Sequence, residues 1–337
     1  MIEAQACVSR GAGTPLVWEN VQLSKPQDNE LLVAVKACGI CHADLKAASG
    51  QFAMKPPMVI GHEGVGVVES VGAAAANNFA PGDFVVLSVA YCGNCNPCRD
   101  GHPSYCTTTA QCNFKGTRVA DNSFIAHAST DGQPLGAQFF GQSSMSTRAV
   151  VRKECAIKVN VRDIQELRSF AGLGCGFQTG CGAILNVAKP KAHDVLLIFG
   201  CGAVGLTAVM AAVLSDCKTI IAVDNVSAKC ELAISLGATH SIIPTSKDVV
   251  EEVRNITGGK MASIAIDCVG NLRIIQTGHD SLAALGTLLT VGNIAGATPP
   301  FSIVSHILKG IKYVGVHQGD ANPPEASLYV DITLCGN

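Results

Sequence analysis

The sequence predicts a β-rich barrel or sandwich followed by a doubly wound parallel α/β sheet. Three observations carry this reading. Over the first ~175 residues, short β-branched runs alternate with Gly, Pro and Asn. From about residue 180 the rhythm changes to strand, helix, strand. The length, 337 residues, suits two domains at roughly 100–200 residues each.

In chain order, Leu31–Ala37 (LLVAVKA) and Val65–Val71 (VGVVESV) read as strands, and Phe84–Val89 (FVVLSV) follows a Pro81-Gly82-Asp83 turn. In the second part, Val195–Phe199 and Thr219–Val223 read as strands. Val204–Leu214 reads as a helix, as does Ser227–Leu236, which Gly237 stops. Ser241–Ile243, Ala262–Ile266 and Leu288–Val291 are further strands, and Ser246–Thr257 is a polar-faced helix ending at Gly258-Gly259. Short apolar strands separated by helices of about ten residues imply a parallel sheet covered on both faces.

Two uncharged stretches, Val195–Leu214 and Ser281–Leu308, are long enough to span a bilayer. Gly200, Gly202 and Gly205 break the first into a strand, a turn and a helix. Gly286, Asn293, Pro299, Pro300 and His306 interrupt the second. Hydrophobic residues make up 48 % and charged residues 15 %, which describes a chain with a large core. A formal charge of −2 and 24 thinly spread Lys and Arg leave no basic footprint for nucleic acid. The opening MIEAQACVSRGAG has no apolar stretch of the signal-peptide kind, so a cytoplasmic location is expected. Sixteen cysteines in such a chain point to metal sites and small buried hydrophobes.

The chemistry-bearing motifs are three. Gly200-Cys201-Gly202-Ala203-Val204-Gly205 is a G-x-G-x-x-G after a strand and before a helix. In that setting the glycines allow a tight turn and let backbone approach a pyrophosphate at the helix N-terminus. Asp224 follows Gly205 by nineteen residues, at the end of the next strand, where a carboxylate accepts the ribose hydroxyls of NAD and repels the extra phosphate of NADP. The second motif, Cys92-x2-Cys95-x2-Cys98-x7-Cys106, lies in a Gly/Asn/Pro-rich loop. Its spacing suits a closed tetrahedral zinc site; disulfides or an iron–sulfur cluster are the alternatives. The third is dispersed: Cys41-His42-Ala43-Asp44, Gly61-His62-Glu63-Gly64 and Gly174-Cys175-Gly176. Together these supply two thiolates and one imidazole, a set that leaves a zinc one open position, with Asp44 and Glu63 as carboxylates that orient the ligands.

These motifs together resemble the zinc-dependent medium-chain alcohol dehydrogenases. The matching segments are CGICHADL (38–45), GHEGVGVVESVG (61–72), the cysteines of 92–106, GLGCGFQTGCGA (172–183), and FGCGAVGL through VDN (199–225). NFKGTR (113–118) is similar to the aryl- or benzyl-alcohol branch. The resemblance implies a GroES-like β-barrel catalytic domain over 1–176, a Rossmann NAD-binding domain over 177–317 and a short tail over 318–337, with the active site in a cleft. It implies a catalytic zinc on Cys41, His62 and Cys175 with Glu63 beside it, and a structural zinc on Cys92, Cys95, Cys98 and Cys106. On the same basis His42 would reach the cofactor pyrophosphate, Thr179 would pack near the nicotinamide, and Asp224 and Lys229 would face the adenosine ribose. Gly200, Gly202, Ala203, Val204 and Gly205 would cradle the phosphates. Ser88 and Phe52 fall where the family lines its substrate pocket. The expected function is hydride transfer between NAD(H) and a small alcohol/aldehyde or ketone pair, aryl or from specialised metabolism, by a homodimer or homotetramer.

Two departures stand out. Family members commonly carry Ser or Thr two residues after the first ligand cysteine and a His soon after, as a proton relay; here these positions hold Ala43 and Lys46. After Ile311–His317, which resembles the strand that pairs family dimers, DANPPEASLYVDITLCGN does not resemble the family's return to the catalytic domain. A truncated or catalytically impaired member that keeps zinc and cofactor is therefore the alternative reading, and a zinc-free quinone-type reductase a second. Ala326–Leu334 has enough apolar residues to pack back as a short strand or helix.

Overall fold

Side-chain alternation and turn chemistry place the strands of the N-terminal half. The computed structural model describes residues 1–52, 54–244, 248–293, 296, 298 and 302–323. The chain divides into two units, Met1–Cys175 together with Asn322 and Pro323, and Gly176–Ala321.

The first unit holds two five-stranded sheets. One contains β1 (Ile2–Ser9), β2 (Val17–Leu23), β4 (Met58–Val59), β7 (Ala126–Ala128) and β8 (Pro134–Leu135), in the order β4-β1-β2-β7-β8. The other contains β3 (Glu30–Cys38), β5 (Gly64–Val71), β6 (Phe84–Leu87), β9 (Arg148–Arg152) and β10 (Ala156–Lys158), in the order β10-β6-β5-β3-β9. Their pairings are antiparallel. The sheets bury alternate residues, Val8, Val21, Leu23, Ile125 and Leu135 in one cluster and Leu31, Val33, Val68, Val85 and Leu87 in another. The sequence reading caught β3, β5 and β6 but not β1 and β2. In those two, Glu3, Gln5, Glu19 and Asn20 dilute the apolar signal, since the first part of each strand is the more exposed part.

The second unit is a six-stranded sheet of β11 (Val195–Phe199), β12 (Thr219–Val223), β13 (His240–Ile242), β14 (Ala262–Asp267), β15 (Leu282–Thr290) and β16 (Lys312–Gly315). The order is β13-β12-β11-β14-β15-β16 and every pairing is parallel. β15 runs six residues earlier than the sequence suggested, because Leu285 takes a left-handed φ of 64° ahead of Gly286 and the strand continues through the irregularity. The helix expected from Ser246 is described from Val249 to Ile256; the Asp248 side chain caps it by accepting from the Val250 and Glu251 amides. Gln318–Asp320 packs on this unit: Gln178 Nε2 donates to Gln318 Oε1, and Asn186 Nδ2 donates to the Gly319 and Asp320 carbonyls. The described residues of the two uncharged stretches form only short elements, and among the described residues no helix is long and apolar enough to cross a membrane. Ala326–Leu334 lies outside the described residues.

Candidate active site and metal centres

A helix start, a turn and a buried helical turn, Leu173–Phe177, bring the dispersed motif together. Cys41 caps the N-terminus of the helix His42–Ala48, and Asp44 returns its carboxylate to the Cys41 amide in a capping box. The same carboxylate, fully buried, also accepts from the Gly61 amide at 3.1 Å and lies 2.9 Å from His62 Nδ1. That contact leaves Nε2 of His62 facing Cys175 Sγ at 3.3 Å. One donor atom each from Cys41, His62, Glu63 and Cys175 lies within 4.8 Å of the others. Gly39 makes room for this set: a β-carbon there would sit 2.1 Å from Glu63 Oε2.

The electrostatics are those of a set poised for a cation. The hydrogen bond from Cys175 and the neighbouring His62 outweigh burial and pull the Cys41 thiol down to about 4, while Cys175, which supplies that proton, is pushed well above the usual thiol range. Burial works against a charged His62, but the Asp44 hydrogen bond and the Cys41 charge prevail and raise it to about 9. Burial and the Cys41 charge raise Glu63 to about 7. A site that concentrates two sulfurs, an imidazole with its other nitrogen occupied and a carboxylate fits zinc of the three-ligand, open-position kind.

The second cluster is equally well formed. Cys92, Cys95, Cys98 and Cys106 bring their sulfurs within 4.8 Å of one another. The Cys92–Cys98 and Cys95–Cys98 sulfurs are 4.0 and 3.4 Å apart. Four sulfurs at 2.3 Å from a central zinc would be about 3.8 Å apart. The described cysteines are free thiols, so the disulfide alternative for this loop is not realised. Amides of Asn94 and Cys95 point at Cys92 Sγ, and backbone N–H groups of Thr107 and Cys98 lower Cys95 to about 6, both of which favour thiolates.

In the second unit, Gly200 takes φ +90° at the end of β11. A β-carbon on Gly205 would meet the Gly200 carbonyl at 1.7 Å, whereas one on Gly202 would meet nothing within 4 Å. The first glycine thus makes the turn, the third lets helix Ala203–Leu214 close onto it, and the second leaves open space at the helix N-terminus for a phosphate. Asp224, just beyond β12, is fixed from both sides: Oδ2 accepts from the Cys201 amide at 2.8 Å and Oδ1 from Val226 at 3.0 Å. Its remaining lone pairs stay available to hydroxyl donors. Ala203 and Val204 form the first turn of that helix; Lys229 is exposed on the helix Ser227–Ser235, and Thr179 is buried in Gln178–Gly182. His42 is exposed at the start of its helix in the first unit.

The sequence reading missed the aromatic surroundings of His62. Phe140 stacks on the imidazole with centroids 4.4 Å apart, and Phe139 meets it edge-on at 5.6 Å. Phe52 and Phe114 pack with these two rings. Only the aromatic pair at 139–140 itself hinted at this. Ser88, expected to line a substrate pocket, is wholly buried and donates its hydroxyl to the Gly174 carbonyl at 2.8 Å.

Comparison with known proteins gives the family. The alcohol dehydrogenase GroES-like domain matches residues 27–161 and the zinc-binding dehydrogenase domain residues 203–331. A geraniol dehydrogenase from Castellaniella defragrans is 37 % identical over 324 residues, 96 % of this chain and 85 % of the relative. The chain belongs to the zinc-binding alcohol dehydrogenase family. Among solved structures, an alcohol dehydrogenase zinc-binding domain protein from Burkholderia ambifaria is 38 % identical with a TM-score of 0.94, covering 99 % of this chain and 90 % of that one. Benzyl alcohol dehydrogenase from Acinetobacter calcoaceticus is 33 % identical with a TM-score of 0.93, over 100 % and 90 % of the two chains. The fold is the family's GroES-like domain joined to a Rossmann-type nucleotide-binding domain, and the protein is a zinc-dependent oxidoreductase of alcohols and aldehydes that uses a nicotinamide cofactor. Nothing in the donor sets or the relatives favours an impaired member.

Proposed function

We propose that Cys41, His62 and Cys175 hold a catalytic zinc with Glu63 beside it, that Cys92, Cys95, Cys98 and Cys106 hold a second, structural zinc, and that the enzyme oxidises aryl or allylic primary alcohols with NAD. The observation that carries this is the convergence of Cys41, His62, Glu63 and Cys175 within 4.8 Å, with His62 Nδ1 held by buried Asp44. Zinc supplies Lewis acidity toward an alcohol or carbonyl oxygen, and the nicotinamide exchanges hydride.

The chain's own residues do the rest. Asp44 fixes the tautomer and direction of His62, and Gly39 gives Glu63 its place. Ala43 carries no hydroxyl, so the exposed imidazole of His42 in the same helical turn is the protein group that passes the proton to water. The Phe52, Phe114, Phe139 and Phe140 cluster beside His62 supports flat, unsaturated substrates, as do relatives named for geraniol and benzyl alcohol. Asp224, with Asn225-Val226-Ser227 after it and no Arg to receive a 2′-phosphate, supports NAD over NADP. We place the enzyme in the cytoplasm. It would act as a homodimer or homotetramer, because the edge strand β16 and the helix Ile303–Lys309 leave Ile303, Val304, Ile307 and Leu308 between 65 and 80 % exposed.

The test is hydride transfer followed at 340 nm with NAD(H) and NADP(H), across benzylic, terpenoid allylic and short aliphatic alcohols and their aldehydes, on protein assayed for zinc. Two zinc per chain and the highest kcat/KM for an unsaturated alcohol with NAD are expected. Equal efficiency with NADP would remove the NAD assignment. A single zinc per chain would remove one of the two metal centres.

A further inference from the structure

We infer that Gln142 is the positioning residue that locks the His62 and Cys175 segments into one metal-binding unit; the inference rests on the zinc reading of that site. Gln142 is 1 % exposed and its amide makes three hydrogen bonds. Oε1 accepts from the Gly64 amide at 3.1 Å, and Nε2 donates to the His62 and Ser88 carbonyls, each at 2.9 Å. Ser88 then donates its hydroxyl to the Gly174 carbonyl, one peptide before Cys175. A single side chain thus holds the His62 carbonyl and the Gly64 amide, the two peptide units that flank Glu63, and reaches the Cys175 segment through one intermediate.

The chemistry admits little else at this position. Two carbonyls and one N–H face the side chain, so the amide nitrogen must turn to the carbonyls and its oxygen to the N–H. A carboxylate of the same shape would face two carbonyl oxygens, and a thioether would leave all three backbone groups unpaired in a buried setting. The backbone that delivers Gln142 is itself forced. Gln138, Phe140 and Ser143 have φ of 58°, 52° and 52°, and Gly141 has 73°. Non-glycine residues rarely take these values, and such conformations persist where surrounding contacts over-determine them. Several of those contacts reach the strand and turn around His62. Ser143 Oγ donates to the Val59 carbonyl, the Ser144 and Met145 amides donate to the Gly61 and Ile60 carbonyls, and Phe140 stacks on the imidazole. Asp44 sets the direction of the ring, whereas the loop ending in Gln142 sets the distance between the His62 and Cys175 backbones.

The experiment uses the full chain with zinc kept in the four-cysteine loop and cobalt(II) loaded at the other site. Its readouts are the cobalt affinity, the thiolate-to-cobalt and d–d absorption, and the difference in Tm between metal-loaded and metal-depleted protein. Gln142→Met is expected to weaken cobalt binding roughly ten- to a hundredfold, the usual effect of removing a group that orients a ligand, with a shifted d–d envelope and a smaller metal-induced gain in Tm. Gln142→Glu, which keeps only the bond from Gly64, is expected to fall between Met and wild type. Ser88→Ala should weaken binding less and leave the bonds at His62. A merely structural glutamine would lower the Tm of both forms equally and leave affinity and spectrum at wild-type values, and that result would overturn the proposal. If neither Gln142 variant folds, Ser88→Ala decides, with wild-type affinity and spectrum there counting against it. A wild-type protein that binds no cobalt with thiolate charge transfer refutes the zinc reading itself, a different outcome from variants that match the wild type.

Discussion

Asp44 and Cys175 bear the clearest single-residue consequences. Asp44 accepts from Cys41 and Gly61 and holds His62 Nδ1, so Asp44→Asn keeps the shape but turns one of the two accepting oxygens into an NH2 donor that faces an N–H. Metal affinity and turnover should fall by roughly 10- to 100-fold, read by zinc competition with a chromophoric chelator and by kcat/KM. Cys175→Ser should abolish turnover and leave the four-cysteine zinc in place, with circular dichroism unchanged; full turnover in that variant would displace Cys175 from the ligand set. Protonation adds a third expectation. Before metal binds, His62 is raised to about 9 and Cys175 lies above the usual thiol range, so both must lose protons when zinc enters at neutral pH. Uptake should release protons into weak buffer, and affinity should rise with pH at roughly tenfold per unit for each proton released, with the His62 contribution levelling off near 9 while that of Cys175 continues above it. A pH-independent affinity between 6 and 9 would contradict these protonation states.

At the scale of elements, the loop of Cys92, Cys95, Cys98 and Cys106 is the part most dependent on a metal. Its helix Asn96–Arg99 has no buried residue, so that helix adds no core of its own to hold the loop. Cys92→Ser should lower Tm and open the loop to proteases while leaving the His62 site able to take up metal. The G-x-G-x-x-G turn makes the opposite kind of claim. Because Asp224 is tied to Cys201 and Val226, Asp224→Ala should both relax the preference against NADP and loosen the turn, so that KM for NAD rises. An unchanged NAD/NADP ratio would show that another group reads the ribose. The motifs around these elements were legible in the sequence because Cys, His and Gly at those spacings have few other uses. The segment 138–144 was not: nothing in Gln-Phe-Phe-Gly-Gln-Ser-Ser advertises three non-glycine residues at positive φ, which tertiary contacts impose. Strand β15 was read short for a related reason, since Gly286 looks like an end where the structure has only an irregularity.

For the whole molecule, the sequence's change from β-runs to alternating strands and helices foretold both units, because periodicity reports which faces are buried. It was silent about β1 and β2, whose polar, more exposed first residues dilute the pattern. The exposed Ile303, Val304, Ile307 and Leu308 are the reason to expect a second copy. Val304→Asp and Ile307→Asp together should shift the sedimenting species toward the monomer and lower Tm in a concentration-dependent way, while each chain keeps its zinc content. A species whose mass is the same for wild type and variant would move the self-association surface elsewhere.

One carboxylate, that of Asp44, holds the amide of Cys41 at a helix start and the amide of Gly61 in a distant turn. Unseating that carboxylate breaks both bonds at once, so the two amides share one opening event. In hydrogen–deuterium exchange followed residue by residue, Cys41 and Gly61 should become deuterated at matched rates when intrinsic chemistry is divided out, and should slow together when zinc is added. The helix start would then report metal loss as early as the ligands do, with the amide of Gly61 serving as its clock.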